Sequence, residues 1–117
     1  SEIWKKYAKK CLTREDKLFL IAEEDSLIVG YIIATISKRS PIYKLNKIGT
    51  IDAITVDKNY RKKGIASKLL QNCLEWFKNN KIIYVEAFID SKNKASLELN
   101  KKFGFYEYQK RVIKKIN

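Results

Sequence analysis

Apolar positions along the chain change period several times, and each change predicts an element. Trp4, Tyr7, Ala8 and Cys11 recur at helical spacing, which predicts a helix over the first dozen residues. Two runs of β type, Leu18 to Glu23 and Leu27 to Ser37, flank the turn "EEDS" and predict a hairpin. The stretch "KRSPIYKLNK", which holds the only proline, Pro41, reads as a loop. Ile48 to Asp57 returns to strand character.

A helix follows from about Gly64 to Lys78, with Ile65, Ala66, Leu69, Leu70, Cys73, Leu74 and Phe77 on one apolar stripe. Asn79 and Asn80 suit a left-handed stop after it. "IIYVEAFI", Ile82 to Ile89, predicts another strand. A second helix runs from about Lys92 to Phe103 and stops at Gly104, with Lys101 and Lys102 at its negative end. Tyr106 to Ile116 predicts a last strand. Strand, helix, strand from residue 48 to residue 89 implies a parallel crossover, whereas the hairpin adds antiparallel pairs. The pattern therefore predicts an α/β (α+β) domain: one mixed, mostly antiparallel sheet flanked by helices. No repeat, linker or low-complexity tract divides the 117 residues, so one domain with one core is expected over 1–117.

Composition narrows the chemistry. There is no histidine, which removes the commonest general base and metal ligand, and no metal site is expected. Cys11 and Cys73 form no CxxC pair and read as reduced core cysteines of an intracellular protein. No apolar run reaches the ~18 residues a membrane span needs, and nothing resembles a signal peptide, so a cytoplasmic protein without a membrane partner is expected. The formal net charge of +12 calls for an anionic partner: nucleic acid, an acidic membrane or a phosphate-bearing cofactor. The lysines are dispersed rather than gathered in one block, which is also what a merely lysine-rich surface looks like.

The stretch YRKKGIASKLL, Tyr60 to Leu70, is the sharpest local feature. A strand feeding a turn and then a helix leaves backbone N–H groups free at the positive end of the helix dipole, a place that binds phosphate well. Gly64 tolerates positive φ and keeps a Cβ out of the way of an anion. Ala66 keeps the next close position small, and Arg61, Lys62 and Lys63 add charge. The plain alternative is a turn glycine beside three solvated cations.

With its strand, the segment Val56-Asp57-Lys58-Asn59-Tyr60-Arg61-Lys62-Lys63-Gly64-Ile65-Ala66 resembles the acetyl-CoA signature of the Gcn5-related N-acetyltransferases, Arg/Gln-x-x-Gly-x-Gly/Ala. Arg61, Gly64 and Ala66 fill its defining positions. The resemblance implies that backbone amides from Arg61 through Ile65 and Ala66 to Ser67 hold the pyrophosphate of coenzyme A. It also implies that the backbone of Ile54, Thr55 and Val56 pairs with the pantetheine arm, in the manner of an added β-strand.

On the second helix, Lys94, Glu98, Lys101 and Lys102 form the solvent face, and Ala95, Leu99 and Phe103 the core stripe. Asn93, Ser96 and Asn100 share a third stripe, turned away from the charges. Uncharged polar groups so placed need partners, from loop backbone, water or a polar ligand lying along the helix. The same family often carries Asn-x-x-Ala-x-x-x-Tyr-x-x-x-Gly-Phe here, in which the Asn contacts coenzyme A and the Tyr protonates the departing thiolate. Asn93 and Gly104-Phe105 match in register. Ser96 stands in place of Ala and Asn100 in place of Tyr, which looks more like the branch that acetylates ribosomal-protein N-termini and polyamines. The resemblance covers about residues 15 to 117. Members usually begin with a strand and a helix ahead of the helix placed at Trp4, and the sequence is expected to lack them.

Acetyl transfer needs the thioester held beside a neutral amine, with the oxyanion and thiolate stabilised. Ser96 Oγ is the candidate donor to the departing sulfur and Asn100 a weaker one. Asp52, read as sharing a strand face with Ile54 and Val56, is the first candidate base. Glu86 is the second, and Tyr84 is a candidate relay through water. The expectation is an acetyl-CoA-dependent N-acetyltransferase acting on a primary amine, a protein N-terminus, lysine or small amine. The rivals are a basic nucleic-acid-binding module, disfavoured by the dispersed cations, and an acyl-CoA-binding domain without turnover. The terminal strand also offers an edge through which a homodimer can form.

Overall fold

A computed structural model describes residues 2–38 and 47–116, so the Pro41 loop lies largely outside the described residues. In chain order the elements are α1 (Glu2–Lys6), β1 (Ala8–Arg14), β2 (Lys17–Glu24), β3 (Leu27–Lys38), β4 (Lys47–Val56), a 3-10 turn (Lys58–Tyr60), α2 (Ile65–Asn79), β5 (Val85–Ala87) and α3 (Lys94–Lys102). The strands form one sheet in the order β1-β2-β3-β4-β5. Its first three junctions are antiparallel and β4 to β5 is parallel, as the crossover pattern implied. The β2–β3 turn holds Asp25 at φ 49 and Ser26 at φ 68, the left-handed pair that lets a two-residue hairpin follow the twist of its strands.

One face of the sheet carries the core. Register places Leu18 opposite Ala34, Leu20 opposite Ile32, and Ile54 opposite Ile32 from the other side. The stripe of α2 covers this face with Ile65, Leu69, Leu70, Cys73 and Phe77, all buried. Burying each large apolar side chain stabilises the fold by about 1.5–3 kcal/mol. The helix lies close because the strands beneath it carry glycines. A Cβ on Gly49 would stand 2.4–2.9 Å from ring atoms of Phe77, and one on Gly30 would stand 3.2 Å from Ile65 Cγ2.

Four expectations need correction. The helical spacing at the N-terminus ends after one turn, with Tyr7 N–H donating to Ile3 O at 2.8 Å. From Ala8 the chain pairs residue by residue with β2. Cross-strand hydrogen bonds thus win over a spacing that Ala8 and Cys11 extended by coincidence, and Cys11 is exposed rather than in the core. The left-handed stop after α2 is Lys81, at φ 61, not Asn79 or Asn80; the Asn80 side chain instead donates from Nδ2 to Trp76 O at 2.8 Å. The strand expected from Ile82 to Ile89 keeps regular pairing only over Val85–Ala87. Finally, residues 106–116 form no strand. Beyond the Tyr108 contact with Glu86 of β5 the segment buries little, and Val112, Ile113 and Ile116 are 95%, 100% and 80% exposed. The edge expected for a homodimer is therefore not formed. Among the described residues, no helix is long and apolar enough to cross a membrane.

The Gly49–Phe77 contact is directly testable. Gly49→Ala must displace the ring or the strand, and we expect a loss of about 1–3 kcal/mol. Urea denaturation would register it as a lower midpoint at unchanged slope.

Candidate active site

Two places anticipated from sequence lie at the same end of the sheet, at the C-terminal ends of β4 and β5. The first is the turn into α2. Asp57 caps the short 3-10 turn by accepting from Asn59 N–H at 2.9 Å, and its own N–H donates to Val29 O at 2.8 Å. Arg61 is extended, Lys62 is left-handed at φ 62, and Gly64 is left-handed at φ 86. Left-handed residues so close together turn successive N–H groups toward one concavity, a backbone nest for anions. Gly64 is the N-cap of α2 and supplies no side-chain cap. Among the described residues, the first N–H of the helix start with a backbone partner in the turn is Lys68 N–H, to Gly64 O at 3.1 Å, so the preceding helix amides have no intrahelical acceptor. Space is not what requires glycine here, since an added Cβ would meet only Ile3 Cδ1 at 3.5 Å; the backbone conformation is.

Cations surround this turn without closing it. Arg61, Lys62 and Lys63 are exposed. Arg61 Nε donates to Val56 O at 3.2 Å, tying the turn to the end of β4. Lys63 Nζ sits 5.4 Å over the Tyr60 ring, which meets Tyr7 edge to face at 6.3 Å. A hydrogen bond with Glu24, then desolvation and the charges of Glu24 and Asp57, raise the Tyr60 hydroxyl pKa above its ordinary value.

The second place is the gap between β4 and β5. These strands pair only from Gly49 opposite Val85 to Ile51 opposite Ala87. Beyond that point β4 bulges: pairing with β3 passes from Ile33–Ala53 to Ala34–Ile51, leaving Asp52 without a partner. The edge of β4 turned away from β3 is then open along Ile54, Thr55 and Val56. The bulge also corrects a reading from sequence, because simple alternation no longer relates Asp52 to Ile54 and Val56. Its carboxylate Oδ2 accepts the Thr35 hydroxyl at 2.5 Å.

A cavity of about 200 Å³ fills the gap. Asp52 and Ile54 of β4 line it, together with Asn93, Ser96 and Asn100 at α3. Leu70, Ala87 and the 88–90 segment complete the wall. Asn93 is the N-cap of α3, its Oδ1 accepting from Ser96 N–H at 3.1 Å. Asn100 is 6% exposed, the one buried polar residue among those described. Its Nδ2 donates to Ser96 O at 2.7 Å, and its backbone O accepts from Phe105 N–H at 2.9 Å. Glu86 and Tyr84 stand apart from the cavity: Glu86 is hydrogen-bonded by the Tyr108 hydroxyl, and Tyr84 is 53% exposed. Beneath the gap, burial first and the Asp52 charge second push the Cys73 thiol up to about 12.

Sequence reasoning missed Leu70, Asp90 and Thr35. Asp90 is held in the turn before α3, where its Oδ1 accepts from Lys92 N–H at 2.8 Å. The bulge had a signal, since Ala53 and Ile54 are consecutive apolar residues that break the alternation of the strand. Among the described residues, no group of three or more His, Cys, Asp or Glu could hold a metal.

The sequence model of the acetyltransferase (GNAT) family matches residues 1–105. An uncharacterised N-acetyltransferase of Methanocaldococcus jannaschii is 30% identical over 108 residues, spanning 92% of this chain and 46% of its own length. An N-alpha-acetyltransferase of Sulfurisphaera tokodaii is 33% identical over 103 residues, spanning 82% of this chain and 60% of its own. The chain thus spans about half to three fifths of these curated relatives. Among solved structures, the aminoglycoside N-acetyltransferase AAC(6')-Iy in complex with CoA superposes with a TM-score of 0.74 at 18% identity, over 89% of this chain and 78% of that one.

The two thiols should behave oppositely. In the folded protein at neutral pH, Cys11 should react with a chromogenic disulfide and Cys73 should not; denaturant should release the second equivalent. Because the folded Cys73 thiol keeps its proton to about 12 while the unfolded one ionises near 9.0, its contribution to stability is full below pH 9 and declines as pH rises toward 12. Denaturation midpoints measured across that window check the sign.

Proposed function

The chain belongs to the acetyltransferase (GNAT) family, and from that premise we propose that it moves an acetyl group from acetyl-CoA to a primary amine by direct attack in a ternary complex. The observation that carries the reading is the pairing of an uncapped, donor-rich turn with a gap between diverging strands, both at one end of the sheet. On this reading residues 1–117 form a single acyl-CoA N-acyltransferase domain, and acetyl-CoA is its cosubstrate. The amides from Arg61 to Ser67 hold the diphosphate, with Arg61, Lys62 and Lys63 adding charge. The open edge at Ile54, Thr55 and Val56 pairs with the pantetheine amides, and Asn93 contacts the same arm.

The chemistry then falls to the cavity. The acceptor ammonium gives a proton to the Asp52 carboxylate, directly or through water, and the free amine attacks the thioester carbon. The N–C bond forms, an N–H near Ile54 steadies the oxyanion, the C–S bond breaks, and the second amine proton passes from nitrogen to the departing thiolate, directly or through water. Ser96 Oγ donates to the departing thiolate, with Asn100 beside it. Asp52 is preferred over Glu86 as the base because Asp52 lines the cavity and Glu86 does not. The relatives' names support two kinds of acceptor, a protein N-terminus and a small polyamine such as an aminoglycoside. Fold alone does not choose between them.

Thiol release from acetyl-CoA, measured against a panel of peptides and small amines, tests the reading. Release with at least one primary amine supports it, and cofactor binding with no release on any amine contradicts it. Gly64→Val should remain folded, since the strain of a β-branched residue at this φ costs only about 1–2 kcal/mol. Calorimetry should nevertheless show its acetyl-CoA affinity lost. Ser96→Ala should lower kcat by about tenfold with KM for acetyl-CoA little changed, as expected for a group acting on the leaving thiolate.

A further inference from the structure

The bulge at Asp52 raises a problem that the proposed chemistry leaves unsolved. A residue without a cross-strand partner has no ladder to fix its side chain, yet a general base must be held within hydrogen-bond reach of its proton. Asp52 is exposed. What does hold it is Thr35, on the adjacent strand β3, whose hydroxyl donates to Asp52 Oδ2 at 2.5 Å.

We propose that Thr35 is a positioning residue for acetyl transfer: its hydroxyl fixes the Asp52 carboxylate across the β4 bulge, leaving Oδ1 to receive the proton of the acceptor amine. This rests on the reading of Asp52 as the base. Thr35 is well placed for the task. It lies within the longest strand, β3, and register sets it opposite Thr50, on the near side of the bulge. Its β-branched side chain has few rotamers on a strand, so the hydroxyl direction is largely set by the backbone. A hydrogen bond to an ionised acceptor is shorter and stronger than a neutral one, which suits a short tether. Thr35 touches neither amine nor thioester; it acts through Asp52.

Three variants test the proposal. Thr35→Val keeps the shape and removes the hydroxyl, Thr35→Ser keeps the hydroxyl, and Asp52→Asn removes the base. With whichever amine releases thiol from the wild type, Thr35→Val should lower kcat about tenfold, a fraction of the ~10²–10⁴ that a placed base contributes. KM for acetyl-CoA should stay within about twofold, because the cofactor is held elsewhere. Thr35→Ser should restore most of kcat. Wild-type kcat in Thr35→Val, beside an inactive Asp52→Asn, overturns the positioning role and leaves the base assignment standing. Equal losses in Thr35→Val and Thr35→Ser also overturn it, since they would mean that the methyl, not the hydroxyl, matters. Full activity in Asp52→Asn removes the base assignment, and this proposal with it.

Discussion

One backbone event governs the site: the extra residue in β4 at Asp52. From Gly49 to Ile51 the strand is flanked on both sides, by β3 and by β5. After the bulge, pairing with β3 continues and pairing with β5 does not. A bulge bends and twists its strand. Two parallel strands that begin side by side therefore diverge, leaving a wedge with one unpaired strand edge. Exposed strand edges are a liability that proteins usually cover or blunt. Here the edge looks into a cavity closed on the far side by α3, and on the proposed reading its main-chain groups, apart from Val56 O, meet an extended ligand. Anchoring by Arg61 at Val56 O holds the end of this edge to the turn beyond it.

The turn continues the same economy of backbone. Capping side chains normally satisfy the first N–H groups of a helix. α2 begins instead with left-handed Gly64, two residues after left-handed Lys62, with no side-chain cap and three cations alongside. The contrast with α3 is instructive, because there the Asn93 side chain caps the helix start by accepting from Ser96 N–H. One helix start carries a side-chain cap and the other does not. On the proposed reading this local arrangement, rather than the net charge of +12 spread over the chain, is what holds the diphosphate.

Much of this was legible in the sequence, because it was local. The α2 stripe from Ile65 to Phe77, the hairpin around Asp25 and the glycine of the turn each depend on neighbouring residues. Asn93, Ser96 and Asn100 could be put on one side of a helix by counting, and they do line one cavity. Elements that depend on partners were harder. β1 is exposed along its whole length, so it carries no alternation to betray it, and its pairing with β2 overrode a helical spacing. Tyr106 to Ile116 carries aromatic and β-branched residues that suit a strand, yet its polar residues interrupt the alternation and no strand forms. The bulge was missed for a related reason. A break in alternation at Ala53–Ile54 is a small signal, and which strand absorbs the slip is decided by register with β3.

Amide hydrogen exchange followed with and without acetyl-CoA tests the central claim most directly. If the bulge opens an edge and the turn presents free donors, the cofactor should slow exchange at 54–56 and at 61–67, while the amides of β1 and β2 stay unchanged. Bound cofactor that leaves both segments exchanging as before would contradict the account.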